Sequence, residues 1–159
     1  MKYIPVKIKN MRPEHELIVP EYATQGAAGV DLHAIMDQDL VLFPGQTSKV
    51  PTGIGIELPQ PDVVALIFAR SGLASKNGLT LVNGVGVIDS DYRGEIQVAL
   101  INLGQEPFTI HTGDRIAQMI IMPVFLAKFL PVQELTESER GEEGFGSTGI
   151  HNSRNSKLE

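Results

Sequence analysis

The feature of the sequence that most limits its fold is a regular succession of short apolar runs, most of them ended by glycine or proline. The runs recur about every ten residues, and the period of an amphipathic helix is almost absent. Turn signals such as Pro44-Gly45, Leu103-Gly104 and Gly113-Asp114 separate them. This spacing is typical of an all-β sandwich, jelly roll or barrel.

Strands are predicted where the runs alternate between polar and apolar residues or stay apolar throughout. They are residues 6–8, 30–34, 39–43, 48–58, 63–69, 79–88, 95–102, 115–124 and 128–135. Because residues 63–69 are almost continuously apolar, we expect that strand to be covered on both faces. Residues 71–77 are predicted to form one or two helical turns, with Ser71 as the cap and Gly78 at the end.

The stretch at residues 82–95, V-N-G-V-G-V-I-D-S-D-Y-R-G-E, is apolar and interrupted by glycine until it stops at Asp89. It has two interpretations. In the first, the predicted strands on either side pair as a β-hairpin with D-S-D-Y-R-G as its tip, since Asp, Ser and Gly favour tight turns. In the second, Gly84 and Gly86, which lack a Cβ atom, let a flat ligand approach the backbone, with the Asp89 carboxylate at its edge.

Composition and charge narrow the class of protein. The chain has 159 residues, which favours one domain, and a formal net charge of −6. This charge argues against broad binding to nucleic acid or anionic membranes, although a few converging arginines could still bind a small anionic substrate. The sequence has no cysteine. It also has no apolar stretch near the ~20 residues that span a bilayer, and no apolar block of a secretory signal. We therefore expect a cytoplasmic protein.

The composition changes near the C-terminus, where S-E-R-G-E-E-G-F-G-S-T-G is polar and rich in glycine. We predict a β domain over residues 1–136 and a flexible C-terminal arm over residues 137–159. Such an arm is either a solvent-exposed tail or a lid that becomes ordered on a ligand, with Arg140 and Phe145 as its anchors.

Common nucleotide-binding and catalytic motifs are incomplete in this chain. Gly84-Val85-Gly86 begins like a dinucleotide fingerprint, but Asp89 takes the final glycine position and no helix is predicted after it. The phosphate-binding pattern G-x-x-x-x-G-K-[ST] does not occur, and the four histidines lack metal-ligand spacing. Ser71 lies in A-R-S-G, which is not a nucleophile elbow.

Five segments taken together carry a family resemblance. They are A-G-V-D-L at residues 28–32, A-R-S-G-L-A at 69–74, N-G-V-G-V-I-D-S-D-Y-R-G-E at 83–95, G-D-R-I-A-Q-M at 113–119, and residues 140–149. In this order and spacing they closely resemble the five motifs of the trimeric dUTPases, over nearly the whole chain. The family's last motif usually has a glycine where this chain has Glu143, whose side chain we expect to point to solvent.

The resemblance implies a jelly-roll-like fold or distorted β-barrel of the β-clip type, assembled as a homotrimer with active sites shared between subunits. It implies hydrolysis of dUTP to dUMP and pyrophosphate with Mg²⁺, by attack of water on the α-phosphorus. This reaction keeps uracil out of DNA and supplies dUMP for thymidylate synthesis.

The resemblance also implies roles for individual residues. Asp89 would activate the water and hold the 3′-OH, and Tyr92 would pack on the deoxyribose and leave no room for a 2′-OH. The other substrate-binding positions are Asn83, Val87, Ile88 and Gln97 around uracil, Arg70, Ser71, Gly72 and Gln118 at the phosphates, Arg140 at the γ-phosphate, and Phe145 with its neighbour Gly146 at the uracil.

Mg²⁺ would be held by triphosphate oxygens and water rather than by a protein ligand cluster. Asp31 has two interpretations that the sequence leaves open. It is either linked to metal-bound water or to Arg70, or it is a buried structural carboxylate paired with an arginine. Asp114 and Arg115 are expected to be structural, in turn and trimer contacts.

Two other functions remain open at this point. The dCTP deaminases share the fold, but they typically carry a P-G-F-like sequence after the Asp, where this chain has Ser90-Asp91-Tyr92. The other alternative is a dUTPase-like binding or signalling protein without catalysis. The Ser90-Asp91-Tyr92 sequence argues against the deaminase. The presence of Asp89, Tyr92, Arg140 and Phe145 favours retained catalysis over binding alone.

Overall fold

The computed structural model describes residues 3–138 and 140–142, and these contain eleven strands and one short helix. The strands are β1 (Lys7–Asn10), β2 (Val30–His33), β3 (Leu40–Leu42), β4 (Thr47–Pro51), β5 (Ile54–Glu57), β6 (Val63–Phe68), β7 (Leu79–Leu81), β8 (Val85–Ile88), β9 (Gln97–Asn102), β10 (Phe108–Ile110) and β11 (Arg115–Pro123). The helix α1 spans Ser71–Asn77. The all-β class predicted from the turn spacing is confirmed.

The strands form four small antiparallel sheets, as expected for a distorted jelly roll. Their orders are β2-β11-β6-β8, β4-β9-β7, β1-β5 and β10-β3. One apolar core, which includes Leu32, Ile54, Leu100 and Ile110, draws side chains from all four sheets. Within the described residues, those up to Leu126 form one compact unit and those from Ala127 onwards a second.

The strand at β6 agrees with its apolar sequence. It lies between β11 and β8 in the largest sheet, and four of its six side chains are buried, including neighbours that point to opposite faces. The prediction that this strand is covered on both faces is confirmed. It therefore provides a rigid support for the residues that follow Phe68.

Four predictions about strands are wrong. Residues 48–58 and residues 79–88 each form two strands rather than one, because Gly53 and Gly84 take left-handed φ values of 71° and 67° that interrupt a strand. Residues 128–135 contain no strand. The hairpin with the D-S-D-Y-R-G tip does not form, since β7 pairs with β9 whereas β8 pairs with β6 in a different sheet.

The helix prediction is confirmed in extent but wrong at its start. Arg70, not Ser71, is the N-cap residue, and no side chain forms a capping hydrogen bond there. Gly78 ends the helix as predicted, with a φ of 69°, and its N–H donates to Ala74 O at 3.1 Å. The Ser71 hydroxyl is therefore not used by the helix terminus. No helix in the described part of the chain is long and apolar enough to cross a membrane.

Asn102 is the fully buried polar side chain that joins β9 to the turn after it. Its Nδ2 donates to Leu42 O and Glu106 O, both at 2.8 Å, and its Oδ1 accepts from Gly104 N–H at 2.8 Å. We expect Asn102→Ala to lower the free energy of unfolding by about 3 kcal/mol, because three backbone groups lose their partner. Urea denaturation measures this, with the exposed Gln105→Ala as the matched control; equal stability of the two variants would contradict it.

Candidate active site

A cleft of about 570 Å³ lies where α1 meets the start of β2 and the middle of β11. Four of the predicted phosphate-binding residues line it together: Arg70, Ser71, Gly72 and Gln118. Gln118 is held in place by a hydrogen bond from its Nε2 to Ala69 O at 2.9 Å. The structure therefore gathers into one cleft residues that are nearly fifty positions apart in the chain.

Asp31 organises the two arginines of this cleft. Its Oδ1 accepts from Arg70 Nε at 2.8 Å, and its Oδ2 accepts from Arg115 Nη1 at 3.1 Å. Arg70 Nη1 also donates to Arg115 O at 3.3 Å. Asp31 thus contacts Arg70, which both interpretations of this carboxylate allow. Since both carboxylate oxygens accept from arginines, Asp31 fixes the guanidinium groups while leaving their remaining N–H donors for a ligand.

The residues around the cleft are cationic although the chain as a whole is acidic. The lining contains three cationic side chains, Arg70, Lys76 and Arg115, and one carboxylate, Asp31. Such convergence attracts a small anion locally. Lys76 is not among the residues predicted from the sequence, although its position four residues after Gly72 places both on the same face of α1.

Arg115 and Asp114 have different roles. Arg115 lines the cleft, whereas its sequence position indicated only a structural role. Asp114 is a turn residue as predicted, because its Oδ2 accepts from His111 N–H at 2.8 Å.

His33 lies next to this group on β2 but adds no charge to it. Burial lowers the pKa of His33 below its ordinary value; the nearby Asp31 charge opposes this shift, and Arg115 and Arg70 add to it. The imidazole is therefore neutral near pH 7. The positive charge of the cleft comes from its arginines and lysine.

The predicted uracil and sugar residues form a second group. Asn83, Val87, Ile88, Asp89 and Tyr92 lie on β8, just before it, or in the turn that follows, and Gln97 begins β9. None of the six lines the cleft around Arg70. Within the described residues, the cleft thus contains the predicted phosphate-binding residues but not the predicted base-and-sugar residues.

β8 is an edge strand in the described part of the chain. It pairs with β6 on one side only, so the backbone N–H and C=O groups on its other side are available to a ligand. Gly86 packs closely on β6, since a Cβ there would lie 3.0 Å from Ile67 Cβ. Val87, at 60% exposure, points away from the core. The free edge of β8 favours the second interpretation of the stretch, a backbone cradle for a flat ligand, but the space at Gly86 is filled by Ile67 rather than left to a ligand.

The turn after β8 is braced by its own residues. Tyr92 N–H donates to Asp89 O at 3.1 Å, and the Tyr92 hydroxyl donates to Glu95 O at 3.0 Å. Arg93 Nη1 donates to Ser90 O at 2.8 Å and to Tyr92 O at 2.9 Å. Asp89 and Tyr92 are exposed at the surface of this turn, where they can contact a ligand.

The last predicted site residues lie at the C-terminus. Arg140 is exposed and belongs to a turn in which Gly141 N–H donates to Ser138 O at 3.0 Å. Phe145 and Gly146, together with Glu143, lie outside the described residues. In the part of the chain that the structure describes, no three His, Cys, Asp or Glu side chains come together as a metal site.

The fold and the cleft together define an all-β protein with a cleft lined by three cationic side chains and one carboxylate. The sequence model of the dUTPase family matches residues 15–149. The chain is 59% identical over 150 residues to a deoxyuridine 5′-triphosphate nucleotidohydrolase of Desulfitobacterium hafniense, covering 94% of this chain and 99% of that protein. This protein belongs to the dUTPase family.

Two further similarities agree with this assignment. A deoxyuridine 5′-triphosphate nucleotidohydrolase of Neisseria meningitidis is 50% identical over 148 residues, which cover 93% of this chain and 99% of that protein. The solved structure of the Staphylococcus bacteriophage 80alpha dUTPase with dUPNHPP superposes with a TM-score of 0.81 at 26% identity, covering 92% of this chain and 99% of that one. The predicted family is confirmed.

Proposed function

We propose that this protein hydrolyses dUTP to dUMP and pyrophosphate. The observation that carries the proposal is the family membership, which extends over nearly the whole chain. The cationic cleft around Arg70 and the edge strand β8 supply the two kinds of surface that a nucleoside triphosphate needs. In a cell this activity would keep uracil out of DNA and provide dUMP for thymidylate synthesis.

The phosphate-binding residues would act by positioning the triphosphate and by balancing its charge. In the proposed reaction, water attacks the α-phosphorus and pyrophosphate leaves, so negative charge moves onto the leaving group. Arg70, Ser71, Gly72 and Gln118 would hold the phosphates. Because Asp31 already fixes Arg70 at 2.8 Å, little side-chain entropy is lost when the triphosphate binds.

Asp89 and Tyr92 would act on the other side of the α-phosphate. Asp89, at the end of β8, would accept a proton from the attacking water and bind the deoxyribose 3′-OH. Tyr92 would pack against the deoxyribose ring and exclude a 2′-OH. The hydrogen bond from the Tyr92 hydroxyl to Glu95 O supports this role, because it keeps the ring in one position.

Uracil would bind along the free edge of β8. The unpaired backbone groups of an edge strand present donors and acceptors in a fixed order, which can match uracil and mismatch cytosine. Asn83, Val87, Ile88 and Gln97 would form this surface. The arm residues Arg140, Phe145 and Gly146 would complete the site over the γ-phosphate and the base.

We propose Mg²⁺ as the cofactor, bound through triphosphate oxygens and water. The donor set of the cleft fits this arrangement: both Asp31 oxygens accept hydrogen bonds from arginines, so two cations already balance its charge and direct ligation of Mg²⁺ by Asp31 is disfavoured. When bound, the ion would neutralise charge on the phosphates. Asp31 would contact it through water at most.

We further propose a homotrimer whose active sites are shared between subunits. In one chain, the cleft holds the phosphate-binding residues but not the base-and-sugar residues. This supports a shared site, because a second copy can bring the two sets of residues together. Exposed apolar side chains, among them Tyr3, Tyr22 and Phe125, offer surface for such contacts.

The function is tested by measuring pyrophosphate release from dUTP, dTTP, dCTP and UTP in parallel, with Mg²⁺ present. We expect turnover of dUTP alone. Release of ammonia from dCTP would instead support the deaminase alternative. Binding of dUTP without turnover of any of the four nucleotides would support a binding module and contradict the proposed catalysis.

A further inference from the structure

Arg12 and Glu95 form a partly buried ion pair that has no role in the proposed reaction. Arg12 Nε donates to Glu95 Oε1 at 2.7 Å, and Nη2 lies 3.5 Å from Oε2. The two side chains are only 27% and 15% exposed, so the pair is shielded from solvent far more than ordinary surface ion pairs. The hydrogen bond to Glu95 is the main reason why the pKa of Arg12 lies above its ordinary value.

The same carboxylate also binds the backbone of a neighbouring strand connection. Glu95 Oε1 accepts from Gly53 N–H at 2.9 Å. Gly53 O in turn accepts from Met11 N–H at 2.8 Å, and Arg12 N–H donates to Asn10 Oδ1 at 2.8 Å. The Glu95 side chain is therefore anchored to two segments that belong to the β1-β5 ribbon or adjoin it.

Glu95 is also the residue that holds Tyr92. Its carbonyl oxygen accepts the Tyr92 hydroxyl at 3.0 Å. The ring lies directly over Gly94, where an added Cβ would overlap the Tyr92 hydroxyl and lie 2.6 Å from the ring carbon that bears it. Beneath, a Cβ at Gly55 would lie 3.2 Å from Gly94 O. The position of the Tyr92 ring therefore depends on the backbone at residues 94 and 95.

We propose that Arg12 is a positioning residue for sugar specificity, acting through Glu95 on Tyr92. By anchoring Glu95, Arg12 keeps the carbonyl that receives the Tyr92 hydroxyl in one place, and so fixes the depth of the pocket left for the sugar. The inference rests on the proposed function, in which Tyr92 packs on the deoxyribose. Loss of the contact between Arg12 and Glu95 would let the Tyr92 ring move away from the sugar, so that a 2′-OH could fit.

The experiment compares dUTP with UTP in wild-type protein and in Arg12→Met. We expect the ratio of the inhibition constant of UTP to KM for dUTP to fall about tenfold in the variant, since a small displacement near a reacting substrate has effects of this size or larger. The change should come from a higher KM for dUTP and a lower inhibition constant for UTP, with kcat for dUTP nearly unchanged. A general loss of structure would instead weaken the binding of dUTP and of UTP together.

Matched variants separate positioning from folding. Arg12→Lys keeps the charge but offers a single donor group, so its ratio should lie between those of wild type and Arg12→Met. Lys7→Met removes the exposed pair that Lys7 makes with Glu57 at 2.8 Å on the same ribbon, and should leave the ratio unchanged. Glu95→Gln should reproduce the loss, and it carries the test if Arg12→Met does not fold.

Tyr92→Ala distinguishes failure of this inference from failure of the proposed function. If Tyr92→Ala lowers the ratio and folded Arg12→Met does not, the positioning role is wrong and the sugar-packing role stands. If wild type does not turn over dUTP, or Tyr92→Ala leaves the ratio unchanged, the proposed function or the role of Tyr92 fails, and the inference fails with it.

Discussion

Asp89→Asn is expected to lower kcat for dUTP by about a thousandfold while changing the dissociation constant of a non-hydrolysable dUTP analogue by no more than about threefold. The substitution removes the proposed general base and keeps nearly the same shape and size. Asp89 is exposed at the end of β8, so the fold does not depend on its charge. Pyrophosphate release gives kcat, and calorimetric titration with the analogue gives the affinity.

Asp91→Asn is the control for this experiment. Asp91 lies two residues further along the same turn, is also exposed, and has no proposed role, so its variant should hydrolyse dUTP at the wild-type rate. Normal turnover in Asp89→Asn would show that another group activates the water. Equal losses in both variants would indicate an effect of charge on the turn rather than general base catalysis.

Removal of residues 137–159 is expected to lower kcat/KM for dUTP by about a hundredfold or more, with the oligomeric state and melting temperature unchanged. The proposed contacts of Arg140 with the γ-phosphate and of Phe145 with uracil are lost, and these help to close the site around the substrate. The strands and the apolar core of the compact unit all precede Leu126. Light scattering and thermal unfolding measure assembly and stability.

Two full-length variants locate the source of this loss. Arg140→Ala should mainly raise KM, because a charge contact with the triphosphate is removed. Phe145→Ala should also raise KM for dUTP, because a contact with uracil is removed. A truncated protein with full activity would remove the arm from the mechanism, and a truncated protein that no longer assembles would show that the arm is structural.

Local structure could be predicted from this sequence more readily than strand pairing. The apolar run of β6 and the turn at Gly78 depend on nearby residues, and both were predicted correctly. The partner of β8 was not, because the alternation of residues 85–88 is equally compatible with pairing to β9 or to β6. Which edge receives a strand depends on contacts far away in the chain, and a single sequence does not contain that information in its local pattern.

The same distinction applies to the candidate site. The cluster of Arg70, Ser71 and Gly72 is contiguous and was readily singled out. Arg115 was expected in turn and trimer contacts, and Arg12 was not singled out. Arg115 lies 84 residues from the Asp31 carboxylate that it meets, and Arg12 lies 83 residues from Glu95. Charged residues scattered singly in a sequence do not reveal such partners, because their pairing follows from the register of strands that the sequence pattern leaves undetermined.

The close stacking of Tyr92, Gly94 and Gly55 has a consequence for how this protein can evolve. No atom beyond the backbone fits at Gly94 without moving the Tyr92 ring, so a mutation there would change which sugar is accepted although residue 94 has no proposed contact with the substrate. The selectivity for deoxyribonucleotides over ribonucleotides would thus depend partly on keeping glycine at positions such as 94. In this turn, tolerance to mutation would be limited by the space between backbones as much as by chemistry.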